Sequence, residues 1–425
     1  MSQLSAKSKT PTIRFKGFSG EWVEKRLDEI TIYIKGFAFK SADYRSSGTR
    51  IVRVSDLTTN DLVESNESST YIDNSKENQY YNYRIKDGDI VITTVGSKAE
   101  MRDSAVGRAI IFNEDKGFLL NQNLVKLSAK EKNNSRFIHV QLLREKYAKF
   151  IEDIQRGNAN QANIAINDLW GYLVYCPNPK EQIQIGNFFQ QLDRLIAQHQ
   201  QKHDKLRCVK KALLTKMFPK QGETQPAIRF KGFSEAWEEK ALGDICEPLK
   251  GKELSWSSIR ENGKYECILY GHLYTEYGMV INKVKYFTDI DSKKIPKSNY
   301  GDILIPASDT TPTGIARASS IDKVGVLLGG DINILRPRDG YHGSYLSYNI
   351  NKNRAKLIKL IKGTSVKHLG NSDLVNIDIY VTNDTTEQTK IGNLFQQLDT
   401  LINQHQSQLT KLNNIKQAML ANMFV

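Results

Sequence analysis

Polar loops in the first half of the chain hold the residues best suited to bind a polyanion. The segments TTVGSKAEMRDSAVGR (93–108) and RGNANQAN (156–163) mix cationic, amide and hydroxyl side chains with small residues. Lys and Arg neutralise phosphates, while Asn, Gln and Arg can form paired hydrogen bonds with base edges. The candidate residues in these loops are Thr93, Thr94, Ser97, Lys98, Arg102, Arg108, Arg156, Asn158, Asn160 and Gln161.

Loops at corresponding places in the second half have similar chemistry. They are SDTTPTGIAR (308–317) and KGTSVKH (362–368). Any one of these residues could equally belong to an ordinary solvated loop, and even with the recurrence in both halves a shared binding role and solvated loops remain equal alternatives for the set. The candidates here are Ser308, Thr310, Thr311, Arg317, Lys362, Thr364, Ser365 and Lys367.

The sequence holds no recognisable catalytic motif. A GxxxxGK[ST] phosphate loop is absent, and Asn178-Pro179-Lys180 lacks the second proline and the aromatic residue of an adenine methyltransferase motif. His199 and His203, four residues apart, could form a metal pair on a helix. However, His199 and its counterpart His405 lie on an apolar stripe, and the counterpart of His203 is Leu409, so packing is favoured. We therefore expect no catalytic residue and no metal site.

The chain contains two long internal repeats. Residues 13–30 (IRFKGFSGEWVEKRLDEI) match residues 228–245 (IRFKGFSEAWEEKALGDI) at twelve of eighteen positions. Residues 181–218 align without a gap to residues 387–424, with twenty-two identities in thirty-eight. Each half therefore consists of a shared lead segment, a divergent globular stretch and a shared helix, which indicates a duplicated two-part unit rather than a solenoid.

The divergent stretches, about 31–175 and 246–380, keep only a faint common skeleton. GDIVI at 88–92 matches GDILI at 301–305, Arg156-Gly157 matches Lys362-Gly363, and Asp168-Leu169 matches Asp373-Leu374. Both stretches predict α/β (α+β) domains, with helices near 135–154 and 341–361. The predicted strands are 51–54, 89–95, 107–112 and 124–127 in the first domain, and 266–271, 302–308, 325–330 and 332–337 in the second.

The repeated segments 181–217 and 387–423 have a heptad pattern that predicts long helices packed against another helix. Asn178 and Asp384 each precede a glutamate by three residues, the spacing of a capping box. The predicted packing residues are Ile185, Phe189, Leu192, Ile196, His199, Leu206 and Leu213 in the first copy, and Ile391, Phe395, Leu398, Ile402, His405, Leu412 and Met419 in the second.

Connectivity predicts that the two helices run antiparallel, because only the linker 219–227 separates the first helix from the second half. Such a pair would form a coiled coil with a pseudo-twofold axis and one domain at each end; the alternative is that each helix buttresses only its own domain. The predicted organisation is a first domain over 1–176, a helix over 177–218, the linker, a second domain over 228–382 and a helix over 383–425.

Composition indicates an intracellular protein with a polyanionic partner. The net charge of +13 favours nucleic acid, with an anionic membrane surface or no special partner as the alternatives. The four cysteines form no CxxC pair, which favours reduced thiols in the cytoplasm. No apolar run is long enough to span a bilayer, and the polar N-terminus does not look like a signal peptide.

Taken over nearly the whole chain, the pattern resembles the specificity subunit of Type I restriction-modification enzymes. The resemblance rests on the IRFKGF…EW lead segments, the GDI strands and the EQ..IG..F.QLD.LI.QHQ helix starts at Glu181 and Glu387. It implies two target-recognition domains that read a bipartite double-stranded DNA target, held apart by an antiparallel coiled coil that acts as a ruler. It also implies two adenine-N6 methyltransferase subunits and two motor-nuclease subunits as partners, which would carry S-adenosylmethionine, ATP and Mg.

Two other classes of function remain possible from the residues alone. One is a stand-alone methyltransferase or nuclease with unrecognised motifs, and the other is a coiled-coil scaffold that does not bind DNA. RNA binding is a weaker alternative, because no aromatic RNA-binding motif is visible.

Overall fold

A computed structural model describes residues 9–58, 62–63, 68–99, 106–158, 161–291 and 293–425. The chain divides into two compact units: Met1–Gln198 together with Leu409–Val425, and His199–Gln408. Each unit therefore contains one divergent domain and parts of both repeated helices.

The first unit is a mixed α/β structure. Its helices are α1 (Leu27–Ile30), α2 (Ser135–Gln141), α3 (Glu145–Ile154), α4 (Ile166–Leu169) and the first part of α5 (Pro179–Lys216). Its strands are β1 (Val23–Arg26), β2 (Thr31–Lys35), β3 (Thr49–Val52), β4 (Thr70–Ile72), β5 (Ile90–Thr93), β6 (Val95–Gly96), β7 (Ala109–Ile111), β8 (Leu119–Leu120), β9 (Leu124–Ala129), β10 (Arg156–Asn158), β11 (Gln161–Asn163) and β12 (Leu173–Cys176).

The main sheet of the first unit is antiparallel, in the order β2-β9-β5-β7. Its central strand β5 is buried on both faces: Ile90 and Ile92 enter the core shared with α2, α3 and α5, whereas Val91 enters a smaller core under the sheet β4-β3-β8. This double burial explains why the sequence of β5 is continuously apolar rather than alternating. β1 pairs with β12, and β10-β11-β6 form a small third sheet.

The second unit contains the same kinds of element. Its helices are α6 (Leu242–Ile245), α7 (His272–Thr275), α8 (Pro312–Ile315), α9 (Gly343–Lys352), α10 (Arg354–Leu360), α11 (Asn371–Leu374) and, in its first part, α12 (Thr385–Asn422). Its strands are β13 (Glu238–Ala241), β14 (Cys246–Lys250), β15 (Ile259–Arg260), β16 (Tyr265–Ile268), β17 (Val280–Ile281), β18 (Tyr286–Thr288), β19 (Asp302–Pro306), β20 (Ser308–Asp309), β21 (Ser319–Ile321), β22 (Leu327–Leu328), β23 (Ile332–Pro337), β24 (Lys367–His368) and β25 (Asp378–Val381).

Strand pairing repeats between the units, although the sequences diverge. The main sheet β14-β23-β19-β21-β17 matches β2-β9-β5-β7 with one added edge strand, and β13-β25 matches β1-β12. The parallel pair β16-β22 corresponds to the parallel pair β3-β8. The predicted α/β (α+β) class with internal duplication is confirmed, and every predicted strand and helix overlaps an observed one.

The GDI sequence shared by both domains has a structural role. Asp89 accepts a hydrogen bond from the Lys86 amide (2.8 Å) and lies 3.2 Å from the Lys126 ammonium on the neighbouring strand β9. Asp302 accepts from the Asn299 amide (2.8 Å) and forms two 2.9 Å hydrogen bonds with Arg336 on β23. Both carboxylates are buried; each closes a turn and pairs with a cation on the neighbouring strand, which is itself buried in the case of Lys126.

The two long helices begin with the expected caps but not with a full capping box. Asn178 Oδ1 accepts from the Glu181 amide (3.0 Å), and Asp384 Oδ1 accepts from the Glu387 amide (3.1 Å). The glutamate side chains do not bond back to the capping residues, so that half of the prediction is wrong. They instead bind arginines of the lead segments, far away in sequence, as described below.

Within each unit the two long helices run antiparallel. In the first unit Phe189 packs on Phe424, and Asp193 lies 2.6 Å from Lys416. In the second unit His199 Nδ1 lies 2.9 Å from His405 Nδ1, and Lys210 pairs with Asp399. In both, residue numbers rise along α5 as they fall along α12, which confirms the predicted direction.

Among the described residues, no helix combines the length and apolarity needed to cross a membrane.

Candidate nucleic-acid interface

In the first unit the predicted loops meet at the end of the central strand. β10 and β11 form a hairpin in which Gly157 lies opposite Ala162, and β11 pairs with β6, which follows β5 directly. The Ile164 amide donates to the Thr94 carbonyl (3.0 Å), which ties the end of the hairpin to the end of the strand. The two polar loops of this half, 60 residues apart in sequence, are therefore one surface.

The second unit builds the same arrangement. Lys362 and His368 exchange two backbone hydrogen bonds (3.0 and 2.7 Å), and β24 pairs with β20, which follows β19. The Leu369 amide donates to the Ala307 carbonyl (3.0 Å), as Ile164 does to Thr94 in the first unit. We call these two surfaces the first hairpin surface (93–99 with 156–158 and 161–163) and the second hairpin surface (308–311 with 362–368).

Each hairpin has at its base a cation that forms an ion pair with an aspartate on a short helix. Arg156 lies 2.5 Å from Asp168 on α4, and Lys362 lies 2.9 Å from Asp373 on α11. These predicted DNA contacts therefore already have an anionic partner at the base of each hairpin.

A glycine follows each cation. Gly157 has φ 134° and Gly363 has φ 102°, a region that L side chains rarely adopt, and a Cβ would overlap a carbonyl oxygen across the hairpin.

Three candidates are not at the surface. Thr93 accepts a hydrogen bond from the Arg108 amide (3.0 Å), Thr94 donates to the Asn123 carbonyl (2.9 Å), and Ser308 donates to the Asp331 carboxylate (3.1 Å). All three side chains are buried. Their placement in the interior does not fit direct DNA contact, because their hydroxyls are used to hold the strand ends.

Two candidate arginines bind the fold itself. Arg108 donates to the carbonyls of Leu57 (2.6 Å) and Thr58 (2.9 Å). Arg317 donates to the Tyr277 carbonyl and, with Lys210 and Asp399, lines a cleft of about 390 Å³ between the domain and the long helices of the second unit. Burial lowers the pKa of Arg317. Both arginines therefore anchor loops rather than extend from them.

The remaining candidates line the hairpin surfaces. Ser97, Lys98 and Lys367 are half-buried, whereas Gln161, Thr310, Thr311, Thr364 and Ser365 are exposed. Lys367 Nζ donates to the Gly363 carbonyl (2.7 Å), and Thr311 caps α8 by accepting from the Gly314 amide (3.2 Å). Arg102 and Asn160 lie outside the described residues, and of Asn158 only the backbone is described.

Three further residues on the same surfaces, an amide, an imidazole and a carboxylate, are not among the predicted candidates. Asn163 and His368 are exposed on the two hairpins, and Asp309 lies on β20 with its carboxylate 2.8 Å from the Thr311 hydroxyl. A carboxylate can accept a hydrogen bond from cytosine. Pairing with a hairpin strand would have identified all three, but that pairing is not visible in the sequence.

The lead segments, which the sequence marked only as a repeat, fasten each domain to a long helix. Arg14 forms two 2.7 Å hydrogen bonds with the buried Glu181, and Arg229 binds Glu387 in the same way at 2.6 and 2.8 Å. These bonds to Glu181 raise the pKa of Arg14. The bidentate geometry fixes the angle between the lead segment and the helix start.

The next residues of the EQ..IG sequence complete the joint. Gln182 accepts from the Asn134 amide at the start of α2 (3.1 Å), and Gln388 accepts from the His342 amide at the start of α9 (2.8 Å). Gly186 allows close approach to α2, because a Cβ there would lie 2.6 Å from Asn134 Oδ1. Each repeated helix start is thus fitted to the divergent domain of its own unit.

The ends of the long helices also enter the domain cores. In the first unit Phe424 packs against Trp22 and Phe137, and the Ile13 amide donates to the Asn422 carbonyl (2.9 Å).

In the second unit Phe218 packs against Trp237 and Tyr345, and the Ile228 amide donates to the Lys216 carbonyl (2.9 Å). Each domain thus holds the start of one long helix and the end of the other.

The predicted packing residues of the helices lie on their inner faces. Ile185, Phe189, Leu192, Ile391, Phe395 and Leu398 are buried, and Ile196, His199, Leu206, Leu213, Ile402, His405, Leu412 and Met419 are half-buried.

Comparison with known proteins agrees with this architecture. The family model described as Type I restriction modification DNA specificity domain matches residues 19–207 and again residues 234–414. A protein of Methanocaldococcus jannaschii, provisionally described as the MjaX type I restriction enzyme specificity subunit, is 23% identical over 363 residues, which cover 82% of this chain and 80% of that protein.

The crystal structure of the S subunit of a type I restriction-modification system from M. genitalium has the same fold. It is 16% identical, with a TM-score of 0.64, and the match covers 98% of this chain and 99% of that one. The HsdS subunit from Thermoanaerobacter tengcongensis also matches, over 95% and 96% of the two chains at 15% identity, with a TM-score of 0.40. Since the two family matches together span most of the sequence, this chain belongs to the family of Type I restriction-modification DNA specificity subunits.

Proposed function

We propose that the chain reads a bipartite, asymmetric DNA target with one recognition domain for each half-site. In this proposal it directs two adenine-N6 methyltransferase subunits and two motor-nuclease subunits to that target. The observation that carries the proposal is that both units build the same hairpin on the same strand end but expose different side chains there.

The exposed chemistry of the two hairpins differs in a way that suits two unlike half-sites. The first offers the amide of Gln161, which can pair with the N6 and N7 edge of adenine. The second offers the hydroxyls of Thr364 and Ser365, which can donate to or accept from a base edge. Because the supporting ion pairs and glycines are shared, the backbone could stay constant while the sequence that is read changes.

The reaction chemistry is assigned to the partners. Among the described residues, no group of three or more His, Cys, Asp or Glu side chains is arranged to hold a metal ion. We place S-adenosylmethionine, ATP and Mg on the methyltransferase and motor subunits, which makes this chain a non-catalytic subunit. A cytoplasmic location is part of the proposal, because the DNA to be read lies there.

Exchange of one recognition domain tests the proposal. Residues 31–175 are replaced by the corresponding stretch of another specificity subunit, the chain is co-expressed with its methyltransferase, and N6-methyladenine is mapped by long-read sequencing. We expect one half of the methylated sequence to change and the other half to stay the same. Replacement of residues 246–380 is the matched control and should change only the other half.

The alternatives give different results in the same system. A change of both half-sites after a single exchange would refute the assignment of one domain to each half-site. Methylation or cleavage by the purified chain alone would identify a stand-alone enzyme. Retention of both half-sites after both exchanges would indicate a scaffold whose domains do not read DNA.

A further inference from the structure

The two long helices are nearly identical in packing residues but differ in charge over their second parts. Residues 202–216 of α5 hold six cations and one aspartate, whereas the aligned residues 408–422 of α12 hold two lysines and no acid. Four of the differences replace a cation by an amide: Lys202 aligns with Gln408, Arg207 with Asn413, Lys211 with Gln417 and Lys216 with Asn422. The replacements alter charge while keeping polar side chains.

The extra cations lie at the surface. Lys202, Arg207, Lys211 and Lys216 are all exposed. Within the described part of the chain, none of these four forms an ion pair with a carboxylate. The helices share two cation positions: Lys205, which is exposed and aligns with Lys411, and Lys210, which pairs with Asp399 as the aligned Lys416 pairs with Asp193. The ion-paired position therefore serves helix packing, and the four additional cations do not.

Helix stability does not account for these additional cations. Only Lys216 lies in the last turn, where a positive charge interacts favourably with the helix dipole. Arg207 is attracted by Asp204, three residues before it, but it also stands four residues from Lys211, a spacing at which like charges destabilise a helix. Uncharged residues at the same positions are compatible with the same kind of helix, because α12 has them. The charge is thus better explained by a partner than by folding.

We propose that this basic stretch, residues 202–216, binds the phosphates of DNA next to the half-site read by the second recognition domain. It lies in the same unit as that domain, and Leu206 and Leu213 on its inner face pack against the domain core. The stretch is about 21 Å long, and a duplex segment of that length carries about twelve phosphates. The proposal rests on the function proposed above and adds a sequence-independent contact to it.

The positive charge of the stretch 202–216 favours DNA phosphates as its partner. Lysines and arginines without amide neighbours suit phosphate oxygens, which need cations but no base-specific geometry. An acidic surface of a protein subunit would be the other partner of similar charge. The two occupants differ in a measurable way, because phosphate contacts release counterions and make DNA affinity depend on salt.

The test uses the substitutions that α12 already contains. The variant K202Q/R207N/K211Q/K216N is assembled with the methyltransferase subunits, and DNA affinity is measured by fluorescence anisotropy across a salt series on duplexes that contain the target. We expect affinity at low salt to fall about tenfold or more and the slope of log affinity against log salt to decrease by about 2 to 3. The methylated sequence should not change.

A relocated-charge control separates a local contact from net charge. It adds Q408K/N413R/Q417K/N422K to the first variant, which restores the net charge but moves it to α12. Since its added charges lie almost entirely in the other unit, we expect this control to resemble the first variant in being insensitive to uncharged methylphosphonate linkages beside the second half-site. Recovery of the wild type's sensitivity to those linkages would show that the position of the charge does not matter and would overturn the proposal.

The remaining outcomes are also decisive. If the salt slope is unchanged and the complex assembles more weakly, the stretch binds a protein subunit instead of DNA. If the slope is unchanged and assembly is normal, the stretch has no role in either interaction. Either result overturns the proposal. Failure of the proposed function would look different, since the wild-type complex would then show no preference for the target over other duplexes.

A second measurement uses duplexes with uncharged methylphosphonate linkages beside the second half-site. These linkages should weaken DNA binding by the wild-type complex but not by the variant complex.

Discussion

At the scale of single residues, identity between the two halves identifies the supports of the recognition surfaces rather than their contacts. Arg14 with Glu181 and Arg229 with Glu387 join lead segments to helices. The paired cation and aspartate at the base of each hairpin recur for the same reason. Side chains that differ and are exposed, such as Gln161 and Thr364, remain the candidates for DNA contact. In this duplicated sequence, matching residues therefore indicate structural support, whereas differing residues indicate where DNA could be contacted.

Loss of one bidentate pair should loosen only the unit that contains it. Glu181→Gln leaves the largely buried Arg14 guanidinium without a charge partner, which should destabilise the first unit by about 3 kcal/mol. Hydrogen-exchange mass spectrometry should then show faster exchange around residues 13–30 and at the start of α5. Glu387→Gln is the matched control and should act on the second unit. Equal effects of both variants on both units would contradict this assignment.

At the scale of elements, the long helices meet through a pair of histidines in the second unit. His199 and His405 face each other with 2.9 Å between their Nδ1 atoms, a distance that accommodates one shared proton. The imidazole that faces His199 in this contact belongs to His405 on the other helix, which agrees with the place of both residues on the apolar stripe. Burial, followed by the charge of His199, lowers the pKa of His405.

Stability of the helix pair should therefore fall in acid. Because the folded state lowers the pKa of His405, the unfolded chain binds more protons below its ordinary value of about 6.5. The contribution of the pair is complete above that pH and is lost as the pH falls below it. In thermal melts, the double variant H199L/H405L should show a smaller loss of melting temperature between pH 7.5 and pH 5 than the wild type.

The control is His203→Leu, which copies Leu409 at the aligned position. Because it keeps the contact between His199 and His405, it should still lose more stability in acid than the double variant. The role of the histidine pair would be contradicted if all three proteins lost the same amount of stability in acid.

At the scale of the whole molecule, both units contain the same set of parts. Each contains a lead segment, a recognition domain, the start of the domain's own long helix and the end of the other helix. In each, a phenylalanine at a helix end packs on the tryptophan of the lead segment. The shared construction explains why the lead segments and the first parts of the long helices are the best-matched parts of the chain.

Lengthening both helices should change the spacer of the DNA target and nothing else. Seven residues, two turns in heptad register, are inserted between Gln198 and His199 and between Gln408 and Leu409. The added helix is about 10 Å long, equivalent to about 3 base pairs. We expect mapped methylation to show the same half-sites with a spacer longer by that amount. An unchanged spacer would refute the ruler function. As a control, insertion in one helix alone should impair folding.

The sequence by itself determined the duplication, the α/β class, the places of the eight predicted strands and the extent of the two long helices. These features depend on local periodicity and on comparison of one half with the other, both of which can be read along the chain. The recurrence of Arg156-Gly157 as Lys362-Gly363 also related the candidate loops of the two halves, and the structure brings the described parts of those loops together within each unit.

Only the tertiary structure decided which residues of those loops can reach a ligand and what the repeated glutamates do. Thr93, Thr94 and Ser308 have the right chemistry but lie inside the fold, and Glu181 pairs with Arg14 across 167 residues of sequence. Burial and partner choice depend on contacts between segments far apart in the chain. Residue type and spacing do not encode such contacts locally, so they became visible only when the strands and helices were packed together.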